Sequence, residues 1–162
     1  MANVLEPEWT DGGDSDGAKR AQVGGQVGAR RLGLSVYELP AGDSPWPYHY
    51  HHANEELLVV LSGRLHVRTP QGWQELEPGS VVGFPRGPVG AHQVENRGEE
   101  PARYLILSEM NAPEAVVYPD SEKVRVMTRA PGGPDEEDQL IANFRLADAV
   151  DYWEGERRGP GG

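Results

Sequence analysis

The sequence contains no cysteine among its 162 residues. This absence excludes disulfide bonds, metal sites with thiolate ligands and cysteine nucleophiles. Long apolar stretches are also missing, since the longest strongly apolar run is the segment 57–61. A membrane-spanning helix needs about 20 such residues, so none is predicted. The N-terminal residues are acidic and lack the apolar core of a signal peptide, and we therefore expect a soluble cytoplasmic protein.

Positive charge is scarce. The chain has 15 Lys and Arg residues against 26 Asp and Glu residues, and its formal net charge is −11. A surface this acidic repels phosphate backbones and anionic lipid head groups. We therefore expect neither a nucleic-acid partner nor a membrane partner. The sequence also shows no DNA-binding segment, which argues against a stand-alone transcription regulator.

Turn-forming residues, by contrast, are abundant, with 21 Gly and 14 Pro in the chain. Between residues 32 and 107, short apolar segments alternate with Gly, Pro and Asn turns about every ten residues. Strands and turns at this spacing predict an all-β sandwich or barrel rather than a helical bundle. We expect two further edge strands, at residues 116–118 and 123–127.

The two ends of the chain lack this pattern. Residues 1–30 predict an irregular arm, residues 31–128 the β-barrel, and residues 129–162 a C-terminal extension with a frayed end. The segment from Phe144 to Trp153 carries several large apolar side chains. Apolar surface of this kind in a terminal segment predicts that it docks on the barrel, as a short helix.

Three of the five histidines lie within four positions of the segment PYHYHHANEELLVVLSG, residues 47–63. A helix has some support, because Asn54 is a good N-cap residue and His52 precedes Glu56 by four positions. However, the His-Glu-x-x-His spacing of helical zinc sites is missing. The run LLVVL is short, β-branched in its middle and closed by Ser-Gly, which favours a strand.

On a strand, alternate side chains point to opposite faces. His49 and His51 then share one face, while Tyr48, Tyr50 and His52 point to the other. The Cα atoms of His49 and His51 are expected about 6 to 7 Å apart, by the rise per strand residue. This distance allows both imidazoles to converge on one ion.

Two sequence motifs resemble those of the cupin superfamily. The first has the form G-x5-H-x-H-x3,4-E-x6-G, and it is matched by His49, His51, Glu56 and Gly63, with Gly42 one residue further upstream than usual. The second has the form G-x5-P-x-G-x2-H-x3-N. It is matched by residues 79–96, except that four residues instead of two separate Gly87 from His92. The chain therefore resembles a single-domain cupin.

The resemblance implies a double-stranded β-helix, or jelly-roll β-barrel, with four metal ligands in its mouth: His49, His51, Glu56 and His92. Three imidazoles and a carboxylate suit one divalent transition metal, which can be Fe, Mn, Ni, Co, Cu or Zn. Glu55 is the competing carboxylate, but the spacing to Gly63 and the strand parity favour Glu56. His52 and His66 are expected to be structural or solvent-exposed.

A metal site of this type limits the chemistry without selecting one reaction. The first hypothesis is a metal-dependent dioxygenase that acts on a small chelating organic molecule. The second is a sugar or sugar-phosphate isomerase, which needs a cationic group near the mouth, and Arg86 is the candidate suggested by its place in the second motif. The third is a non-catalytic small-molecule binder or sensor.

The predicted strands 57–61 and 104–107 carry apolar residues on both faces, so the outside of the barrel needs a cover. Either the chain's own arm and the segment 144–153 supply this cover, or a second subunit does. Many single-domain cupins form dimers, and we therefore predict a homodimer.

Overall fold

The computed structural model describes residues 1–10, 17–133, 137–157 and 159. The regular secondary structure of this part of the chain is mostly strand, with one four-residue α-helix, α1 (Val23–Gln26), and short 3₁₀ turns. The strands are, in chain order, β1 (Lys19–Ala21), β2 (Leu32–Leu39), β3 (Tyr50–His51), β4 (Glu56–Ser62), β5 (Leu65–Thr69), β6 (Gly72–Leu76), β7 (Val81–Phe84), β8 (Gln93–Glu95), β9 (Ala102–Glu109), β10 (Glu114–Tyr118), β11 (Lys123–Met127) and β12 (Ile141–Arg145).

The strands form two facing layers, and every pairing between them is antiparallel. One layer is a five-stranded sheet in the order β1-β2-β9-β4-β7. The other contains a four-stranded sheet, β12-β11-β10-β3, and a three-stranded sheet, β6-β5-β8. A bridge between His49 and His92 joins these two smaller sheets. The predicted all-β jelly-roll barrel is therefore confirmed.

The main core lies between the two layers and follows the alternation of side chains along each strand. On β4, Leu58 and Val60 point inward and are fully buried, while Leu57 and Leu61 point to the other face. The inner side chains of the neighbouring strands complete the same cluster: Tyr37, Leu39, Leu65, Val67, Leu76, Phe84, Val94, Ala102 and Tyr104.

The turn after β4 depends on a glycine. Gly63 has a φ of +75°, a backbone conformation that residues with a Cβ atom rarely adopt. A Cβ atom at this position would lie 2.8 Å from the Cα atom of Ala102. The Ser-Gly pair predicted to end the strand thus allows the chain to pass closely against β9.

The outer face of the five-stranded sheet is partly covered by the N-terminal residues. Ala21 and Val23 are buried against Val36 and Leu105, and Trp9 packs on the same cluster. The arm is therefore not irregular throughout, since it contains β1 and α1. Its backbone pairs with β2, and three residues are too few to show a periodicity in the sequence. Residues 11–16 of the predicted arm lie outside the described residues.

The strands near the C-terminus differ from the prediction in two respects. β10 and β11 are not edge strands, because β10 lies between β3 and β11, and β11 lies between β10 and β12. The segment 144–153, predicted as a helix, instead contains the last two residues of β12 and a 3₁₀ turn at Leu146–Asp148. Its apolar side chains are largely exposed, among them Phe144 and Tyr152. Residues 134–136, 158 and 160–162 of the extension lie outside the described residues.

Part of the outer sheet face stays open to solvent. Leu57, Val81 and Leu107 are exposed there, next to the surface that the arm covers. The homodimer remains a prediction. Among the described residues, no helix has the length and apolar character needed to cross a membrane.

The alternation along β4 predicts different stabilities for two adjacent Leu→Ala variants. Leu58 is fully buried, whereas Leu57 is 40% exposed. We expect Leu58→Ala to lower the free energy of unfolding by about 2–5 kcal/mol, because it leaves a cavity in the core. Leu57→Ala is the matched control and should cost about 1 kcal/mol or less. Urea unfolding followed by circular dichroism measures both values, and equal losses would contradict the assigned direction of β4.

Candidate metal centre

Three segments bring the predicted ligands together at one end of the barrel. His51 lies on β3, Glu56 is the first residue of β4, and His92 directly precedes β8. The backbone N–H of His49 donates to the carbonyl oxygen of His92 at 3.0 Å, and the N–H of His92 donates to the carbonyl oxygen of His49 at 2.8 Å. This reciprocal pair holds the two predicted motifs side by side.

The side chains of the four residues converge. One ligand atom from each of His49, His51 and Glu56 lies within 4.8 Å of the others. The Oε2 atom of Glu56 is 3.4 Å from Nε2 of His92 and 3.5 Å from Nε2 of His51. The ring centroids of His49 and His92 are 4.6 Å apart. Glu56 therefore lies at the centre of the cluster, within reach of the imidazoles around it.

Each imidazole is oriented by a hydrogen bond at its other nitrogen. Nδ1 of His49 lies 2.8 Å from the carbonyl oxygen of Pro47, and Nδ1 of His92 lies 2.9 Å from that of Gly90. Nδ1 of His51 lies 3.2 Å from Oε2 of Glu114. Since all three partners are acceptors, Nδ1 carries the proton in each neutral ring. The Nε2 lone pairs then remain available at the cluster.

Glu114 is a member of this site that the sequence analysis missed. Its carboxylate is fully buried and accepts hydrogen bonds from the backbone N–H groups of His52, Ala53 and Ala115 and from the side-chain amide of Asn54. Burial raises the pKa of Glu114, but the hydrogen bonds from His51, Asn54 and Ala53 outweigh burial and lower it overall. The carboxylate is therefore ionised and holds His51 in place.

The electrostatics of the cluster favour the metal-binding forms of Glu56 and His49. Burial lowers the pKa of His51, but its hydrogen bond with Glu114 and the charge of Glu56 outweigh burial and raise it. Burial raises the pKa of Glu56, but the hydrogen bond with His92 and the charges of the imidazoles, which act when these rings are protonated, outweigh burial and lower the pKa to about 2. Burial and the neighbouring histidines lower the pKa of His49 to about 3. At neutral pH, Glu56 is thus a carboxylate and His49 a neutral imidazole, the forms that coordinate a cation.

The four-residue gap before His92 has a structural role. It forms a 3₁₀ turn, Pro88–Gly90, whose last carbonyl group accepts the hydrogen bond from His92. A Cβ atom on Gly90 would lie 1.7 Å from the carbonyl oxygen of Pro85, so glycine is required there. The insertion therefore supplies the group that orients the ring of His92.

The remaining histidines and the competing glutamate lie apart from the cluster. His52 and Glu55 are exposed. His66 is half-buried, with Nε2 3.5 Å from a carboxylate oxygen of Glu75 on the neighbouring strand. These positions agree with the expectation that His52 and His66 are structural or exposed.

The cluster opens into a cavity of about 970 Å³ between the two layers. Among the described residues, four arginines line this cavity, namely Arg20, Arg30, Arg125 and Arg129, whereas Glu56 is the one acidic residue in the lining. Arg86, the cation suggested by the second motif, is not part of the lining. It is half exposed and forms an ion pair with Glu109. The cationic groups of the cavity therefore come from parts of the chain that the motifs do not include.

The residues present fit a divalent transition metal. Three imidazole nitrogens and a carboxylate form a donor set that such ions prefer, and the hydrogen bonds at Nδ1 are typical of histidines that coordinate metals. His49, His51, Glu56 and His92 are the residues that would hold the ion. The metal and its identity remain predictions.

Comparisons with known proteins agree with this architecture. Residues 35–108 match the family model described as a cupin domain. A search of curated proteins finds no match. Among solved structures, a sugar phosphate isomerase of the cupin superfamily from Silicibacter pomeroyi is 22% identical, with a TM-score of 0.76, and the alignment covers 95% of this chain and 98% of that one.

Two further structures share the fold. A candidate sugar phosphate isomerase from Acidithiobacillus ferrooxidans is 27% identical, with a TM-score of 0.71, over 90% of this chain and 88% of that one. A polyketide cyclase from Streptomyces resistomycificus is 20% identical, with a TM-score of 0.56, over 67% and 78% of the two chains. The first two alignments extend well beyond the cupin domain into both flanking segments.

Adjacent glutamates offer a direct test of the ligand set. We expect Glu56→Gln to lose most of the bound metal, because the variant removes the central carboxylate of the cluster. Glu55→Gln is the matched control, with the same change of charge on an exposed neighbour, and should retain wild-type metal content. Inductively coupled plasma mass spectrometry of the purified proteins measures both. Equal metal content in the two variants would contradict the role assigned to Glu56.

Glu114 should affect metal affinity without contacting the ion. We expect Glu114→Gln to weaken metal binding by about 10- to 100-fold, because the neutral amide no longer orients and polarises His51. Competition with a chromophoric chelator measures the affinity. Glu77→Gln, on an exposed turn, controls for the loss of one negative charge. An unchanged affinity in Glu114→Gln would show that His51 does not need this partner.

Proposed function

We propose that the chain, whose residues 35–108 match the cupin domain family, is a metal-dependent isomerase of a small phosphorylated sugar. One observation carries the proposal. The candidate metal ligands and several arginines line the same cavity, in a protein whose net charge is −11. A cationic lining in an acidic protein favours an anionic ligand at this place.

The size and chemistry of the cavity support this substrate class. A volume of about 970 Å³ is ample for a small phosphorylated molecule. Guanidinium groups bind phosphate through paired hydrogen bonds. A metal ion held by the candidate ligands would leave coordination positions open for sugar oxygens. The Acidithiobacillus protein, 27% identical, is named as a candidate sugar phosphate isomerase, which agrees with this assignment.

The chain's own residues would bind the substrate and orient it next to the metal ion. A bound ion would supply Lewis-acid polarisation of a substrate oxygen. Tyr37 and Tyr104 line the cavity, and burial raises the pKa of both hydroxyls, so they stay protonated and can donate hydrogen bonds to sugar oxygens. Phe84 stacks on His92 with ring centroids 3.8 Å apart and keeps water from that side of the imidazole.

The dioxygenase hypothesis requires the same four metal ligands but does not account for the arginines in the cavity lining. A diketone, catechol or flavonol has no need of a cationic lining away from the metal. The arginines therefore favour the isomerase over the dioxygenase, and they are compatible with a non-catalytic binder of the same anion.

A substrate panel with metal-loaded protein tests the proposed function. We expect the protein loaded separately with Mn, Fe(II), Co, Ni or Zn to interconvert aldose and ketose phosphates, with little turnover of the unphosphorylated sugars, because the arginines bind the phosphate group. Proton NMR follows the conversion, and parallel oxygen-electrode runs use diketones, catechols and flavonols.

The controls compare neighbouring histidines. His51→Ala should abolish the conversion, whereas His52→Ala, an exposed neighbour, should leave it close to the wild-type rate. Oxygen consumption without isomerisation would favour the dioxygenase instead. Sugar phosphate binding with no conversion under any metal would favour the non-catalytic binder.

A further inference from the structure

One row of side chains crosses the inner face of the five-stranded sheet beyond the metal-type cluster. Arg20 on β1 pairs with Tyr37 on β2, and Tyr37 pairs with Tyr104 on β9. The tyrosine rings are stacked with centroids 5.1 Å apart, and all three residues line the cavity. The next residue of the row is Val60, which is four residues from Glu56 along β4, or about 13 Å between Cα atoms.

Two polar atoms in this row lack a hydrogen-bond partner within the part of the chain that the structure describes. They are Nε of Arg20 and the hydroxyl oxygen of Tyr104, and both are buried. Tyr104 as a whole is fully inaccessible from the surface. Buried polar groups are almost always hydrogen-bonded, since leaving them unpaired is unfavourable. Arg20 and Tyr104 both line one cavity, so a polar ligand in this cavity can supply the missing partners.

The guanidinium group of Arg20 also lacks an acidic partner among the described residues. A terminal nitrogen of this group donates a hydrogen bond to the hydroxyl group of Ser35, at 3.4 Å. The group lies 5.7 Å from the ring centroid of Tyr37, which supports its position. A cation held at a cavity wall by neutral neighbours has its charge available for an anion.

The segment after β11 packs against the same guanidinium group. A Cβ atom on Gly132 would lie 2.4 Å from a terminal nitrogen of Arg20, so the backbone there packs directly against this side chain. The side-chain amide of Gln22 donates to the carbonyl oxygen of Gly132 at 3.4 Å. The two segments that flank the cupin domain thus meet at Arg20 and limit where its side chain points.

The other arginines of the cavity are less suited to this role. Arg129 donates to the side chain of Gln139 and to the carbonyl oxygen of Gly133, and Arg30 is exposed at the rim. Arg125 lies in the cross-strand row of His51 and Val116, on the facing layer. Arg20 is the one of the four whose Nε atom is buried without a partner among the described residues.

We infer that Arg20, together with the hydroxyl group of Tyr104, binds the phosphate group of the substrate. This inference rests on the proposed function for the identity of the anion. Arg20 lies outside the residues that match the cupin domain, so the N-terminal arm supplies a specificity-determining residue to the cavity. The sugar end of the molecule binds at the cluster formed by His49, His51, Glu56 and His92. The phosphate group binds at Arg20.

Calorimetric titration of inorganic phosphate into the metal-free, full-length protein tests the inference without requiring turnover. We expect saturable binding to the wild type and binding about 10- to 100-fold weaker in Arg20→Gln, because charge-assisted hydrogen bonds are lost. Arg20→Lys should bind with an intermediate affinity, since lysine keeps the charge but not the planar fork. Tyr104→Phe should weaken binding by about 2- to 10-fold.

Lys19→Gln is the matched control. Lys19 is the next residue on β1, points to the opposite face and pairs with Glu38 at the surface, so the variant makes the same change in net charge. Its phosphate affinity should stay within about twofold of the wild type. Circular dichroism and thermal unfolding identify a misfolded Arg20→Gln, and in that case Arg20→Lys and Tyr104→Phe decide the result.

The outcomes separate this inference from the proposed function. No phosphate binding by the wild type, or equal losses in the Arg20 and Lys19 variants, would overturn the role of Arg20. An active isomerase whose KM for sugar phosphates is unchanged in Arg20→Gln would also overturn it, while leaving the proposed function intact. Phosphate binding that depends on Arg20, in a protein without isomerase activity, would leave the subsite standing and refute the isomerase.

Discussion

The antiparallel pairing of β4 with β9 at the middle of the five-stranded sheet determines which side chains enter the barrel. Side chains alternate along both strands, so burial of Leu58 and Val60 also turns Glu56 inward. A slip of one residue would expose these two core side chains and replace Glu56 by Glu55. The hydrophobic effect on the apolar residues of β4 thus holds a carboxylate at the end of the same strand, where its desolvation alone would be unfavourable.

Hydrogen bonds from three different segments then orient the rings around this carboxylate. Two backbone carbonyl groups and the carboxylate of Glu114 each accept a hydrogen bond from one Nδ1–H group. Glu114 is itself held by backbone N–H groups of the loop that follows His51, which compensates for burying its charge. The result is a cluster whose Nε2 atoms are directed inward before any ligand arrives, the preorganisation that a metal site requires.

The distribution of charge inside the barrel is opposite to that of the whole chain. Ion pairs such as Arg64–Glu75 and Arg97–Glu95 lie on the outside, where water and salt screen them within about 10 Å. Inside the cavity screening is weaker, so the local arginines outweigh the distant acidic surface in their effect on a ligand. An overall charge of −11 is therefore compatible with a small anionic substrate inside the cavity.

The local pattern of residues determined the strands and the direction of their side chains. The short β-branched run LLVVL, the Ser-Gly turn and the spacing of His49 and His51 each depend on neighbours within a few residues, so local strand geometry made them predictable. The resemblance in motifs added His92, which lies 36 residues beyond Glu56. The structure brings these four residues together at one site.

Tertiary structure alone decided the partners that come from distant segments. Glu114 meets His51 because β10 pairs with β3, and Arg20 enters the cavity because three residues of the arm pair with β2. Neither pairing leaves a periodic pattern in the sequence, and Arg86, which the second motif suggested, pairs with Glu109 instead. Strand order and register depend on the free energy of the whole packed barrel, so the residues that line its cavity cannot be identified from any one segment.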